Sequence, residues 1–138
     1  MKLLKMGLLT TALFFSHYAA AQSSDVQTLQ NEVKMWQPIN IQQQKTVITI
    51  TLNENQITPQ IYHAVISDGI CSGIWLHSTP DGFLKSIKEI RVLNKHSYQG
   101  YALTDPLATC NEMGTAQNEK DGKTLMLSHS RLFTNKDS

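Results

Sequence analysis

Two cysteines, Cys71 and Cys110, fall in the middle of a 138-residue chain whose first residues have the form of an export signal. That combination constrains the fold more than any other feature. An exported chain reaches an oxidising compartment, where a cysteine pair is bonded rather than free. One pair allows one intrachain connectivity, so Cys71 is expected to bond to Cys110. In the chain-entropy model, closing a loop of about forty residues contributes roughly 4 kcal/mol. That is a large share of the stability of a small domain.

The export reading rests on residues 1–21. Lys2 and Lys5 make a basic start, residues 6–15 (MGLLTTALFF) form a short apolar run, and Ala19, Ala20 and Ala21 offer small residues for cleavage before Gln22. The run is about half the length needed to cross a bilayer as a helix, so no stable membrane anchor is expected after cleavage. The expected destination is periplasmic or extracellular. Residues 22–138 then form a single exported domain, with 10 basic residues against 11 acidic ones. A charge so close to zero provides no electrostatic footprint for nucleic acid or an anionic membrane surface.

Along that domain, Ser24 or Asp25 can cap a helix on which Val26, Leu29, Val33 and Trp36 share one face. Pro38 ends it. Residues 45–52 (KTVITITL) alternate, with Ile48, Ile50 and Leu52 on one side and Val47, Thr49 and Thr51 on the other, as in a strand with one partly solvated face. Thr58-Pro59 has the form of a helix start and Asp68-Gly69 that of a stop, with Ile61, Ala64, Val65 and Ile66 between them. Residues 70–76 carry Cys71 and Trp75 inward as a helical turn or a short strand.

After a turn cluster at residues 78–82, segments 87–93 and 98–103 flank Asn94-Lys95-His96-Ser97, which predicts a hairpin. Gly100 within it suggests a bulge or a close backbone contact. Residues 111–123 are polar, contain Gly114 and Gly122 and lack apolar periodicity, so a long exposed loop is expected there. Residues 125–133 (LMLSHSRLF) alternate like a last strand. The sum is an α+β domain: a small antiparallel sheet of about four strands, two helices and one disulfide.

Gly69-Ile70-Cys71-Ser72-Gly73 has the outline of a Gly-x-nucleophile-x-Gly elbow, with Cys71 as nucleophile and one of His63, His77, His96 or His129 as base. The chain is short for the architecture that uses this elbow, no strong strand precedes Gly69, and a bonded cysteine cannot attack. The four histidines lack the spacing of sequence-readable metal sites. Asp68, Asp81 and Asp105 stand beside Gly or Pro, where turn chemistry accounts for them. Glu89 and Arg91 are expected to form an exposed polar stripe on one strand face. No catalytic residue, metal or cofactor is therefore assigned.

The expectation that remains is a small exported protein-binding module (an inhibitor, immunity protein or accessory subunit) whose partner is another envelope or secreted protein. Its candidate interface comprises Lys95, His96, Tyr98 and Tyr101 around the hairpin turn, with Asn111 and Glu112 in the polar segment through residue 123. Two alternatives stand beside it. One is a small envelope hydrolase using Cys71 or a histidine–carboxylate pair. The other is a structural component of a surface assembly, for which an exposed apolar edge on strand 45–52 would be the sign.

Overall fold

The computed structural model describes residues 23–134 and 136. The export segment 1–21 and its cleavage position lie outside them. The described chain is an α+β domain built on one mixed five-stranded sheet, strand order β1-β2-β3-β4-β5.

Helix α1 (Ser24–Glu32) starts one residue earlier than its capping pattern suggests: Ser23 is the cap, its hydroxyl accepting from Val26 N–H at 3.2 Å. Asp25 instead accepts from the Leu84 N–H at 3.2 Å, tying the helix to the turn region 59 positions along. The apolar row continues through a 3₁₀ turn, Lys34–Trp36, before left-handed Gln37 turns the chain into β1 (Pro38–Gln44). This strand is not evident in the sequence, because only Ile39 and Ile41 mark it among glutamines and asparagine. It pairs antiparallel with β2 (Val47–Leu52) across a tight turn with Lys45 in the left-handed region.

The expected helix start at Thr58-Pro59 is present in α2 (Pro59–Ala64), where the Thr58 hydroxyl accepts from Ile61 N–H. The expected stop at Asp68-Gly69 is not. The helix runs on through a π-helical stretch, Val65–Cys71, and into α3 (Ser72–Trp75), so residues 59–75 are one continuous helix. Tertiary packing overrides the stop: a Cβ on Gly69 would sit 3.0 Å from the Trp36 ring, so the glycine lets that indole approach the helix.

This helix connects β2 to β3 (Glu89–Leu93), and the two strands are parallel, against the expectation of a purely antiparallel sheet. A helical crossover of this length is what brings two strands into parallel pairing. The hairpin of β3 with β4 (Gln99–Thr104) is as the sequence predicts. Buried Asn94 organises its turn, accepting from the N–H groups of Tyr98 and Gln99 and donating to the Asn55 carbonyl.

The largest correction concerns residues 105–134. Cys110 lies in helix α4 (Pro106–Gly114), not in a loop. The polar segment 111–123 forms the end of α4 and much of α5 (Glu119–Ser128), whose cap Asn118 accepts from Asp121 N–H at 2.9 Å. The strand expected over 125–133 is confined to β5 (Ser130–Thr134), antiparallel to β4. With residues 59–75 counted once, the described chain holds four helices and five strands, rather than two and four.

One face of the sheet, carrying Ile48, Ile50, Ile90, Val92 and Leu103, shares a core with Leu29, Tyr62, Ile66, Ile70 and Met126 from the helices. On the other face, Thr49, Arg91, Ala102 and Arg131 align across four strands. There Glu89 is gripped by Arg91 at 3.3 Å and Arg131 at 2.7 Å, and the Arg91 guanidinium lies 5.1 Å over the Phe133 ring. The Glu89–Arg91 stripe is thus half-buried and paired, and Thr51 is buried.

Candidate functional site: a groove beside the disulfide

Cys71 and Cys110 are bonded, as the sequence predicts, with Cα atoms 5.1 Å apart and both residues fully buried. The bond joins the π-helical stretch to α4, and so clamps helix 59–75 against the α4–α5 pair. Met113 adds to the clamp, its thioether 4.0 Å from the Cys71 sulfur. A second tie lies close by: the Trp75 indole N–H donates to the Cys110 carbonyl at 2.7 Å. Gly114 makes room for this indole, since a Cβ there would fall 2.8 Å from Trp75 Nε1.

Above the clamp, the two helical walls do not close. They leave a groove of about 480 Å³, within the range of ligand-binding clefts. One wall is a row on helix 59–75 formed by His63, Ser67 and Trp75, with Cys71 below it in the same four-residue spacing. The opposite wall and floor come from Met113, Gly114 and Ala116, then from Asn118, Glu119, Gly122 and Lys123. Trp, Met, Ala and Gly make part of this lining apolar, and His, Ser, Asn, Glu and Lys make the rest of it polar. Lys123 and Glu119 place one positive and one negative charge on this lining. A π-helical stretch forming part of the wall is itself notable, since such departures from regular helix recur at functional sites.

The residues singled out from sequence are distributed over several elements. Lys95, His96 and Tyr98 occupy the β3–β4 turn, with the His96 and Tyr98 rings stacked at 6.0 Å. Tyr101 faces the core and stacks on Tyr62 at 4.8 Å. Asn111 and Glu112 lie exposed on α4. The wider segment 111–123, also expected to take part in an interface, supplies most of the groove lining, as helices instead of a loop. Trp75, His63 and Ser67 were not singled out as its partners, because nothing in the sequence shows that they face this segment.

Among the described residues, the four histidines do not gather. His63 lines the groove, His77 follows the helix end in the left-handed region, His96 is in the hairpin turn, and His129 pairs with Glu112 at 2.9 Å. That histidine–carboxylate pair is open to solvent on both sides. Cys71 presents no thiol, being half of the disulfide. Strand β2 lies between β1 and β3 and so has no free edge for strand addition. Among the described residues no three or more His, Cys, Asp or Glu side chains are grouped to hold a metal ion. Among the same residues, no helix is long and apolar enough to cross a membrane.

Fold and site together define a small disulfide-linked α+β domain with an apolar groove between two helical walls. No family model, no curated protein and no solved structure matches the chain.

Proposed function

We propose that the chain is an exported protein-binding module, an inhibitor, immunity protein or accessory subunit, that engages another envelope or secreted protein through the groove beside its disulfide. The observation that carries this reading is the groove itself: its lining combines Trp75, Met113, Ala116 and Gly122 with the polar residues His63, Ser67, Asn118, Glu119 and Lys123, and the Cys71–Cys110 bond ties the elements on its two sides together. An apolar centre within a polar rim is the anatomy of a protein interface, and Trp and Met are residue types enriched there. A methionine floor also adapts to an incoming side chain at little energetic cost. The disulfide is compatible with export.

In-cell photo-crosslinking tests the proposal. A benzophenone amino acid replaces Ala116 in the groove lining, and separately Tyr98 at the hairpin turn. The expected result is one discrete adduct with an envelope or secreted protein from position 116 and a much weaker one from position 98. A folded, exported protein that yields no discrete adduct from either position would end the binding-module reading. A discrete adduct from 98 alone would move the interface to the hairpin and remove the groove from it.

A further inference from the structure

Strand β1 closes one side of the sheet, and among the described residues only β2 pairs with it. Every second residue of such a strand turns its backbone N–H and C=O away from the sheet, and another strand meets that row group for group. Proteins commonly blunt such edges with charged side chains, lysine above all. β1, with the sequence PINIQQQ, carries no charge. The opposite edge, β5, differs: it bears Arg131, which grips Glu89. The irregularity in β1 is a bulge between Pro38 and Asn40, which leaves a regular ladder over residues 40–44.

The side chains of that ladder specify what fits beside it. Asn40, Gln42 and Gln44 stand in register with Thr51, Thr49 and Val47, on the face that carries Arg91, and all three are exposed. An amide is donor and acceptor at once. A row of amides is therefore complementary to a second copy of itself, as a row of like charges is not. Antiparallel pairing about a two-fold axis at Gln42 sets Gln42 opposite Gln42, Asn40 opposite Gln44 and Ile41 opposite Gln43, and so uses the whole unbulged segment. The charge that flanks this segment is Lys45, in the β1–β2 turn three residues past the axis. The two Lys45 residues are then about 20 Å apart at roughly 3.4 Å per residue, well beyond the screening length of about 8–10 Å at ordinary ionic strength. Two exposed apolar side chains stand at the entry to the same strand, Met35 at 78% and Ile39 at 56%.

We infer that β1 is a self-association edge: two copies of the chain join antiparallel over residues 40–44, about a two-fold axis at Gln42, and their five-stranded sheets become one continuous sheet. The contact is isologous, so it closes at two copies, and the outer edges of the joined sheet are the β5 strands with Arg131. So short a ladder buries far less than the roughly 1,600 Å² of a standard interface, so the dimer is weak and forms at high local concentration. It uses a different part of the molecule from the groove and does not depend on the binding-module reading.

Sedimentation equilibrium of the folded, disulfide-bonded protein at low salt, from micromolar to millimolar concentration, tests this. The expected result is a monomer–dimer equilibrium. Gln42→Lys places like charges face to face at the axis and should weaken dimerisation severalfold, as should Gln42→Glu. An equimolar mixture of the two variants should associate more tightly than either alone. Leu132→Lys, on β5, should leave the dimerisation constant unchanged. Should a Gln42 variant fail to melt cooperatively, the parent carries the test through hydrogen exchange, where protection that rises with concentration is expected at the β1 amides. A chain that stays monomeric to millimolar concentration overturns the inference. So does a dimer that ignores both charges at position 42, one that Leu132→Lys breaks instead, or exchange protection outside β1 alone. A benzophenone amino acid at position 42 extends the test to cells. An adduct of two copies of the chain supports the pairing, whereas a discrete adduct with another protein alone gives the edge to a foreign strand and overturns self-association.

Discussion

The hydroxyl groups of Tyr62 and Ser130 lie 2.6 Å apart, joining the helix that follows β2 to the last strand across 68 positions of sequence. Ser130 Oγ–H donates to the Met126 carbonyl at 2.7 Å, so its oxygen is left to accept from the Tyr62 phenol. The pair closes a relay from helix to helix end inside the core, where Tyr62 is fully buried and stacked on Tyr101. Burial holds the phenol's proton well above its usual range, against the opposing pull of the Ser130 hydrogen bond.

That proton makes stability sensitive to alkaline pH. The folded chain keeps it where the unfolded chain, with a phenol near pH 10, has released it. The contribution is complete below that pH and declines as pH rises beyond it, by about 1.4 kcal/mol per pH unit for one group. Tyr62→Phe should flatten this decline relative to the parent, and should cost about 1 kcal/mol at neutral pH through the lost hydrogen bond and the Ser130 oxygen left without its donor. Urea unfolding at neutral pH and at pH 11 measures both. Parallel pH dependences in parent and variant would show that Tyr62 does not govern the alkaline limb.

The disulfide closes a loop of sequence separation 39 between two helices. Replacing both cysteines by alanine should lower the unfolding free energy by about 4 kcal/mol, chiefly by freeing the unfolded chain. Equilibrium denaturation of the parent and the double variant gives the figure. An unchanged midpoint would mean that the clamp contributes only local geometry, which the Trp75 indole resonance would then report.

Gly100 sits in β4 opposite Leu93 and Phe133. A Cβ at this position would be driven into the Val92 carbonyl oxygen, a backbone atom of the adjacent strand that cannot rotate aside. Gly100→Ala should therefore destabilise by about 3 kcal/mol, in the range of overpacking and strain at a close backbone approach. A Tm within a degree of the parent's would contradict that close approach.

Glu89 holds two arginines at once, Arg91 and Arg131, with only 14% of its side chain exposed. Glu89→Gln retains the shape and removes the negative charge that both guanidinium groups face. A loss of about 1 kcal/mol is expected, above the usual return of a single exposed pair because the pairing is a three-member network. The difference should shrink in molar salt, where the screening length falls to about 3 Å. Urea titrations at low and high salt test it, and an equal stability of the two proteins at low salt would exclude a net contribution from the network.

Legibility in sequence followed the physical range of each signal. The alternation of β2, the Thr58-Pro59 start and the β3–β4 hairpin were readable because they depend on neighbours a few residues away. Residues 111–123 look like a loop in the sequence because α4 and α5 bury only one narrow row there, Met113 and Gly122, too sparse for a visible period. Residues 125–129 alternate well enough for a strand, yet the Asn118 cap and Met126 burial make them helix. The groove was half legible. The polarity of its 111–123 wall is visible in the sequence, whereas His63, Ser67 and Trp75 become its other wall only through the packing of two distant helices.

By itself the sequence determined what is local or singular: the α+β class, the hairpin, the first helix, and the bond between Cys71 and Cys110, since two cysteines have one way to pair. Only the tertiary structure decided the parallel contact of β2 with β3, the continuation of the helix past Asp68-Gly69, and the open groove above the disulfide. The reason is the same in each case. Local propensities at these places differ by about 1 kcal/mol or less, while burying a bulky core side chain contributes roughly 1.5–3 kcal/mol, so long-range packing has the larger share of the outcome.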